Sequence, residues 1–283
     1  MVLEDIITPQ KAERHPIEVL IMGFIYTSIA ILVSVWVFKQ YSSLVMVFLT
    51  VIAAFPLLYN TFKYEEKSDI DYHIEKDRLG CHIRAIKFLV FLFLGMLLSF
   101  TFWFVVMPPN LVSLMFNSQV ETINAINARI VGSFIAPTDI LGKIILNNMK
   151  VLLFTIFFAF FYGAGALFIL AWNASVISAA IGSFVRENIA SYASSVGLNY
   201  VWSYFNVFSA GLLRYLVHGI PEIMAYFVGG LAGGILSVAV INHDMESKSS
   251  KAIMLDSFIL LLAAFFILII AALIEVYVTP VLF

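Results

Sequence analysis

Runs of about 20 apolar residues recur along the chain, and no other feature constrains its fold so tightly. A helix rises 1.5 Å per residue, so about 20 residues match the ~30 Å hydrocarbon layer of a bilayer. Inside that layer no water meets the backbone, and each run has to close its own hydrogen bonds as a helix. The runs expected to cross are 17–38, 43–59, 85–106, 151–171 and 254–278, with two further apolar pieces at 201–217 and 222–241. The reading is an all-α, polytopic membrane protein of about six spans, with one transmembrane domain over residues 1–283. With 62% hydrophobic and 12% charged residues, a water-soluble fold would expose more apolar surface than water tolerates. The first run is too long for a signal-peptide core and lacks a small-residue cleavage pattern, so it is expected to be a retained span.

Between the second and third spans the chain changes character. Residues 61–84 carry five Lys/Arg and six Asp/Glu, which reads as a solvated helical extension broken at Gly80. Counting on to Lys87 gives six basic residues, against Lys39 alone in the preceding turn, so the amino terminus and residues 61–84 are expected in the cytoplasm. The carboxyl half has two readings: a hairpin over 201–241 puts the terminus outside, and one broken crossing puts it inside. Pro108 and Pro109 stop the third span. Segment 108–148 is too polar to cross and too apolar to float free, so it is placed in the interface as one or two amphipathic helices, with Ser118 and Glu121 as a capping box. Residues 174–184 are only about half long enough to cross and suggest a re-entrant or broken element.

The chain then places charged groups where lipid is expected. Arg214, His218 and Glu222 fall one helical turn apart, with Gly219 and Pro221 between the last two. Glycine suits a left-handed position just past a helix end and proline the first turn of a new helix, so a break is expected here. One reading is capping and packing, with His218 at a carboxyl end and Glu222 in a first turn. The other is an inward-facing polar cluster. One charge at the centre of a lone helix costs about 2.5 to 3.5 kcal/mol on insertion scales, so three together are expected to pair, Arg214 with Glu222.

Small residues at Ala225, Gly229, Gly233 and Ser237 recur every four positions and make a flat stripe for a close helix neighbour. Gly163 and Gly165, with Ala159, make a weaker version. Asn147, Asn148 and Asn173 bracket the fourth span and serve either as caps at helix ends or as ligand-binding amides. Glu275 is expected at the interface. No zinc-protease, phosphate-loop or nucleophile-elbow motif occurs, and His73, His82 and His243 lack ligand-like spacing, so neither an enzyme, a metal nor a cofactor is expected. Cys81 is alone. A net charge of −2 without a basic stripe argues against nucleic acid as a partner.

The order Asn147-Asn148, Gly163, Gly165, Asn173, then His218-Gly219 and Glu222 before Ala225 and a glycine-rich helix, resembles the stage II sporulation protein M family over residues 140–245. The chain departs from the family's usual Asn-Gly by carrying Asn173-Ala174. The family's namesake is a membrane component of a complex with cell-wall hydrolases in spore-forming bacteria, and many relatives occur in bacteria and archaea that form no spores. The resemblance therefore implies a prokaryotic plasma-membrane protein and a motif, and no catalytic activity. Three functions are open. The first is a scaffold or complex subunit that meets lipids, other membrane proteins or its own copies through the small-residue stripe. The second is a transporter or channel for an ion, proton or lipid headgroup built on Arg214, His218 and Glu222. The third is an intramembrane hydrolase, for which two candidate side chains are too few.

Overall fold

The computed structural model describes residues 15–71, 75–131, 137–159, 164–192, 217, 219–237, 240 and 248–282, with no strand among them. In chain order the helices are α1 Pro16–Val37, α2 Ser42–Asp71, α3 Glu75–Val106, α4 Pro109–Met115, α5 Asn117–Val131, α6 Pro137–Ala159 and α7 Ala164–Tyr192. They are followed by α8 Gly219–Ser237. The last is α9 Lys248–Leu273, continued by a π-helical turn Ile274–Val278 and a final turn α10 Thr279–Leu282. Seven of them, α1, α2, α3, α6, α7, α8 and α9 with its extension, are long and apolar enough to cross a membrane.

The lipid-facing pattern is written into α1. Ile17, Ile21, Ile25 and Ile29 recur every four residues and are exposed, whereas Gly23, Thr27, Ala30 and Ser34 on the other side are buried. Large apolar groups outside and small ones inside are what a lipid solvent favours, because association there depends on close packing. Gly23 meets Gly95 of α3: a Cβ on Gly23 would lie 2.6 Å from the Leu92 carbonyl oxygen and 3.3 Å from the Gly95 Cα, and one on Gly95 would fall onto the Leu20 carbonyl. The two backbones touch, which only glycine allows. One turn beyond, Ser28 bonds Ser99 at 2.9 Å and receives the Trp103 indole N–H at 3.0 Å.

These pairs rise together along both chains, so α1 runs parallel to α3. The same holds for α3 and α7: Ser178 donates to the Leu97 carbonyl at 2.9 Å, Gly182 lies against Phe104, and Arg186 reaches the carbonyls of Val105 and Met107 at the end of α3. Gly229 meets Leu152 while Gly233 meets Ile156 and Ala159, so α8 is parallel to α6. Gly234 against Phe62 places the carboxyl end of α8 beside the charged hairpin that α2 and α3 form. The seven helices therefore alternate in direction. We call the end carrying residues 61–84 the charged end and the other the far end.

Several expectations change. Helix α6 begins at Pro137, so residues 137–148 belong to a crossing-length helix and not to the interface, which leaves α4 and α5 at the far end. The run 151–171 is not one span: α6 stops at Ala159 and α7 starts at Ala164, and apolar residues on both sides hid that boundary. Residues 174–184 are the second half of the full crossing α7, with helical backbone through Asn173 and Ala174, so no re-entrant element occurs there. The capping box does not form. Ser118 lies inside α5 and bonds Ser43 of α2 at 2.8 Å, while Glu121 accepts from Asn117 at 3.1 Å. Helix α5 is anchored through fully buried Gln119, whose Nε2 donates to the Ser43 carbonyl and to Ser175 Oγ, each at 3.1 Å.

Candidate functional site

The site is built around Gly230. A Cβ there would lie 3.2 Å from Ala166 of α7 and 3.4 Å from Thr155 of α6, so three helices meet at this level. Seven residues are two helical turns, about 10 Å along the axis, and return to the same face. Two turns toward the far end, α6 presents Asn148, α7 presents Asn173 and α8 presents Ile223 with Glu222 beside it. Three of the polar residues singled out in the sequence, Asn148, Asn173 and Glu222, thus share one level of the bundle.

Their local contacts follow from their places on helices. Asn148 is buried, with 5% of its surface exposed, and its Oδ1 accepts at 3.5 Å from the exposed Asn147. Asn173 donates through Nδ2 to the Ile169 carbonyl at 2.9 Å. Neither residue caps a helix end, because both lie inside crossing-length helices. Glu222 accepts a 2.7 Å hydrogen bond at Oε1 from the hydroxyl of Tyr226, one turn on along α8, and the Tyr226 ring is fully buried.

A second carboxylate arrives from α9. Gly229 faces Ala264 across the α8–α9 contact, and the two helices are antiparallel, so Glu222 is level with residue 271 and Glu275 lies one turn beyond it. Glu275 is within electrostatic reach of both Glu222 and Tyr226. It sits on the π-helical turn, in which the Thr279 N–H bonds the Ile274 carbonyl and the Thr279 hydroxyl reaches the same oxygen at 3.2 Å. Such turns interrupt an α-helix at a cost in backbone geometry and gather at functional sites. Glu275 therefore stands near Glu222 at the far end of the bundle. The signal for it was its placement in the last apolar run, but nothing in the sequence tied it to α8. Tyr226 has the one-turn spacing from Glu222, but one tyrosine among many aromatic residues carries no mark of that bond.

Arg214, His218 and Gly163 lie outside the described residues, and with them the expected Arg214–Glu222 pair. Gly219 and Pro221 are both helical, as is Val217, and Gly219 does not take the left-handed backbone expected of it. The stripe is used inside the chain. A Cβ on Gly233 would lie 2.8 Å from Ala159 Cβ and 2.9 Å from the Ile156 carbonyl oxygen, Ala225 and Ser237 are buried with it, and Gly165 opens α7 next door.

Neither the curated proteins nor the solved structures contain a match to this chain. The family model described as stage II sporulation protein M matches residues 88–280, which takes in Asn148, Asn173, Glu222, Tyr226 and Glu275. Covering most of the chain and all of that polar level, the match establishes that this integral membrane protein belongs to the stage II sporulation protein M family.

Proposed function

We propose that the protein is a non-enzymatic transporter or channel for a proton or small hard cation, with the Glu222, Tyr226 and Glu275 level as its binding site. The observation that carries this reading is the placement of two half-buried carboxylates within electrostatic reach of each other at the far end of the bundle, with a tyrosine hydroxyl on one of them. Among the described residues no lysine, arginine or histidine forms an ion pair with either acid. Ionisable groups at membrane depth are expensive and characteristically mark ion or proton pathways. The amide oxygen of Asn173 adds a neutral oxygen ligand at the same level, the donor type that hard cations prefer.

The excess of basic residues around 61–87 supports a plasma-membrane orientation with the amino terminus and charged end in the cytoplasm. Alternation of seven crossings then supports an external far end, so that the site lies toward the outer face. A scaffold or complex-subunit role is the second reading. Its docking stripe is occupied by α6, but α6 itself has only 17% of its crossing window buried, against 50% for α7, which supports lipids or another membrane chain along its flank.

The test is flux in proteoliposomes under an imposed pH or sodium gradient. The wild-type protein is expected to dissipate one of them, and Glu222→Gln to abolish that flux with its helical content retained. A well-folded wild type without flux, or flux unchanged in Glu222→Gln, would overturn the transport reading and leave the scaffold.

A further inference from the structure

At the opposite end of the same two helices lies a second feature. Leu236 of α8 and Met254, Phe258 and Leu261 of α9 wall an apolar groove of about 500 Å³. Two polar residues also line it. Lys251 is exposed at its mouth and is, among the described residues, the one charged group in the lining, while Ser257 is 2% exposed and has no hydrogen-bond partner for its Oγ among those residues. Asp256, next to Ser257, is not part of the lining.

We propose that this groove holds one anionic phospholipid, with an acyl chain along its apolar wall and the phosphate on Lys251. Length, polarity and charge agree. From Lys251 to Leu261 α9 advances about 15 Å, the depth of one leaflet of a ~30 Å hydrocarbon layer. A lysine at the rim snorkels to the headgroup level and meets a phosphate as a point charge. Ser257 lies about 9 Å deeper along the axis, where a lipid's ester carbonyls follow its phosphate. The mouth opens at the charged end, beside the hairpin that Gly234 and Phe62 join, and basic pockets between spans on that side recognise anionic headgroups.

Native mass spectrometry of the full chain from mixed micelles with equal phosphatidylglycerol and phosphatidylcholine tests this. The wild type is expected to retain phosphatidylglycerol about fivefold over phosphatidylcholine, the factor that ~1 kcal/mol per lysine near anionic lipid provides. Lys251→Ala removes the charge and Met254→Trp fills the groove at a partly exposed position, and both are expected to bring the ratio to about one with helical content unchanged. Inorganic phosphate alone is expected to leave the melting temperature where it was. Equal retention of the two lipids by the wild type, retention unmoved by both variants, or stabilisation by free phosphate equal to that by phosphatidylglycerol would each overturn the lipid assignment. Glu222 and Glu275 lie at the other end of the bundle, so these outcomes are independent of the flux test.

Discussion

Tyr226 donates its hydroxyl proton to Glu222 across 2.7 Å, one turn apart on α8, and so holds the carboxylate in one orientation at the far end of the bundle. Tyr226→Phe removes that donor while keeping the ring in its buried place. The expected cost in stability is about 1 kcal/mol, since one hydrogen bond is lost without a cavity. Flux is expected to fall with it, because the carboxylate loses its fixed position. Thermal melting beside proteoliposome flux reads both, and an unchanged flux would separate Tyr226 from the function.

Gly233→Leu is expected to prevent stable assembly of the bundle. Even a Cβ at this position would lie 2.8 Å from Ala159 and 2.9 Å from a backbone oxygen of α6, and helix backbones yield little. Gly233→Ala is the graded version, with a predicted loss of about 1–3 kcal/mol from overpacking. Gel filtration and melting of the two variants give the ranking, and a monodisperse Gly233→Leu with wild-type melting contradicts the close approach.

The Gly23 and Gly95 contact predicts the same behaviour at the other side of the molecule. Gly95→Ala drives a methyl onto the Leu20 carbonyl and to 3.0 Å from the Phe24 nitrogen, so α1 has to move away from α3. A loss of about 1–3 kcal/mol is expected, measured by melting, with Gly142→Ala, which has open space around it, as the neutral control.

Gln119 gives a prediction of opposite character. Its Nε2 is paired twice, but its Oε1 is buried with no partner among the described residues. Gln119→Met keeps the volume and removes the unpaired oxygen together with both hydrogen bonds, so the gains and losses offset to within about 1 kcal/mol. Gln119→Ala leaves a cavity between α2, α5 and α7 and is expected to cost about 2 to 3 kcal/mol more. Equal melting of the Met and Ala variants would show that the side chain does not fill this space.

Much of the architecture is legible in the sequence, for reasons of scale. A crossing needs a long apolar run, and α1, α2, α3 and α9 were visible because polar residues or prolines bound their runs. The charged hairpin and the stripe at Gly229 and Gly233 were visible because they are local patterns. The α6–α7 boundary was not, because apolar residues continue from the end of one helix to the start of the next and leave no polar mark between them. The site was half legible. Glu222, Asn148 and Asn173 stand out as polar residues in apolar chain, but their common level depends on the register of three helices at Gly230, which is a property of packing. Glu275 and the Gly23–Gly95 approach depend on contacts between distant segments, and single residues of those types carry no mark of a partner.

The account stands most directly on the two acids acting as one site. Flux through proteoliposomes should be measured for the wild type, Glu222→Gln, Glu275→Gln and the double variant, all checked for helical content and monodispersity. Joint action predicts that each single change removes most of the flux and that the double variant is no worse than Glu222→Gln alone. Losses that multiply independently, or a Glu275→Gln protein as active as the wild type, would contradict it.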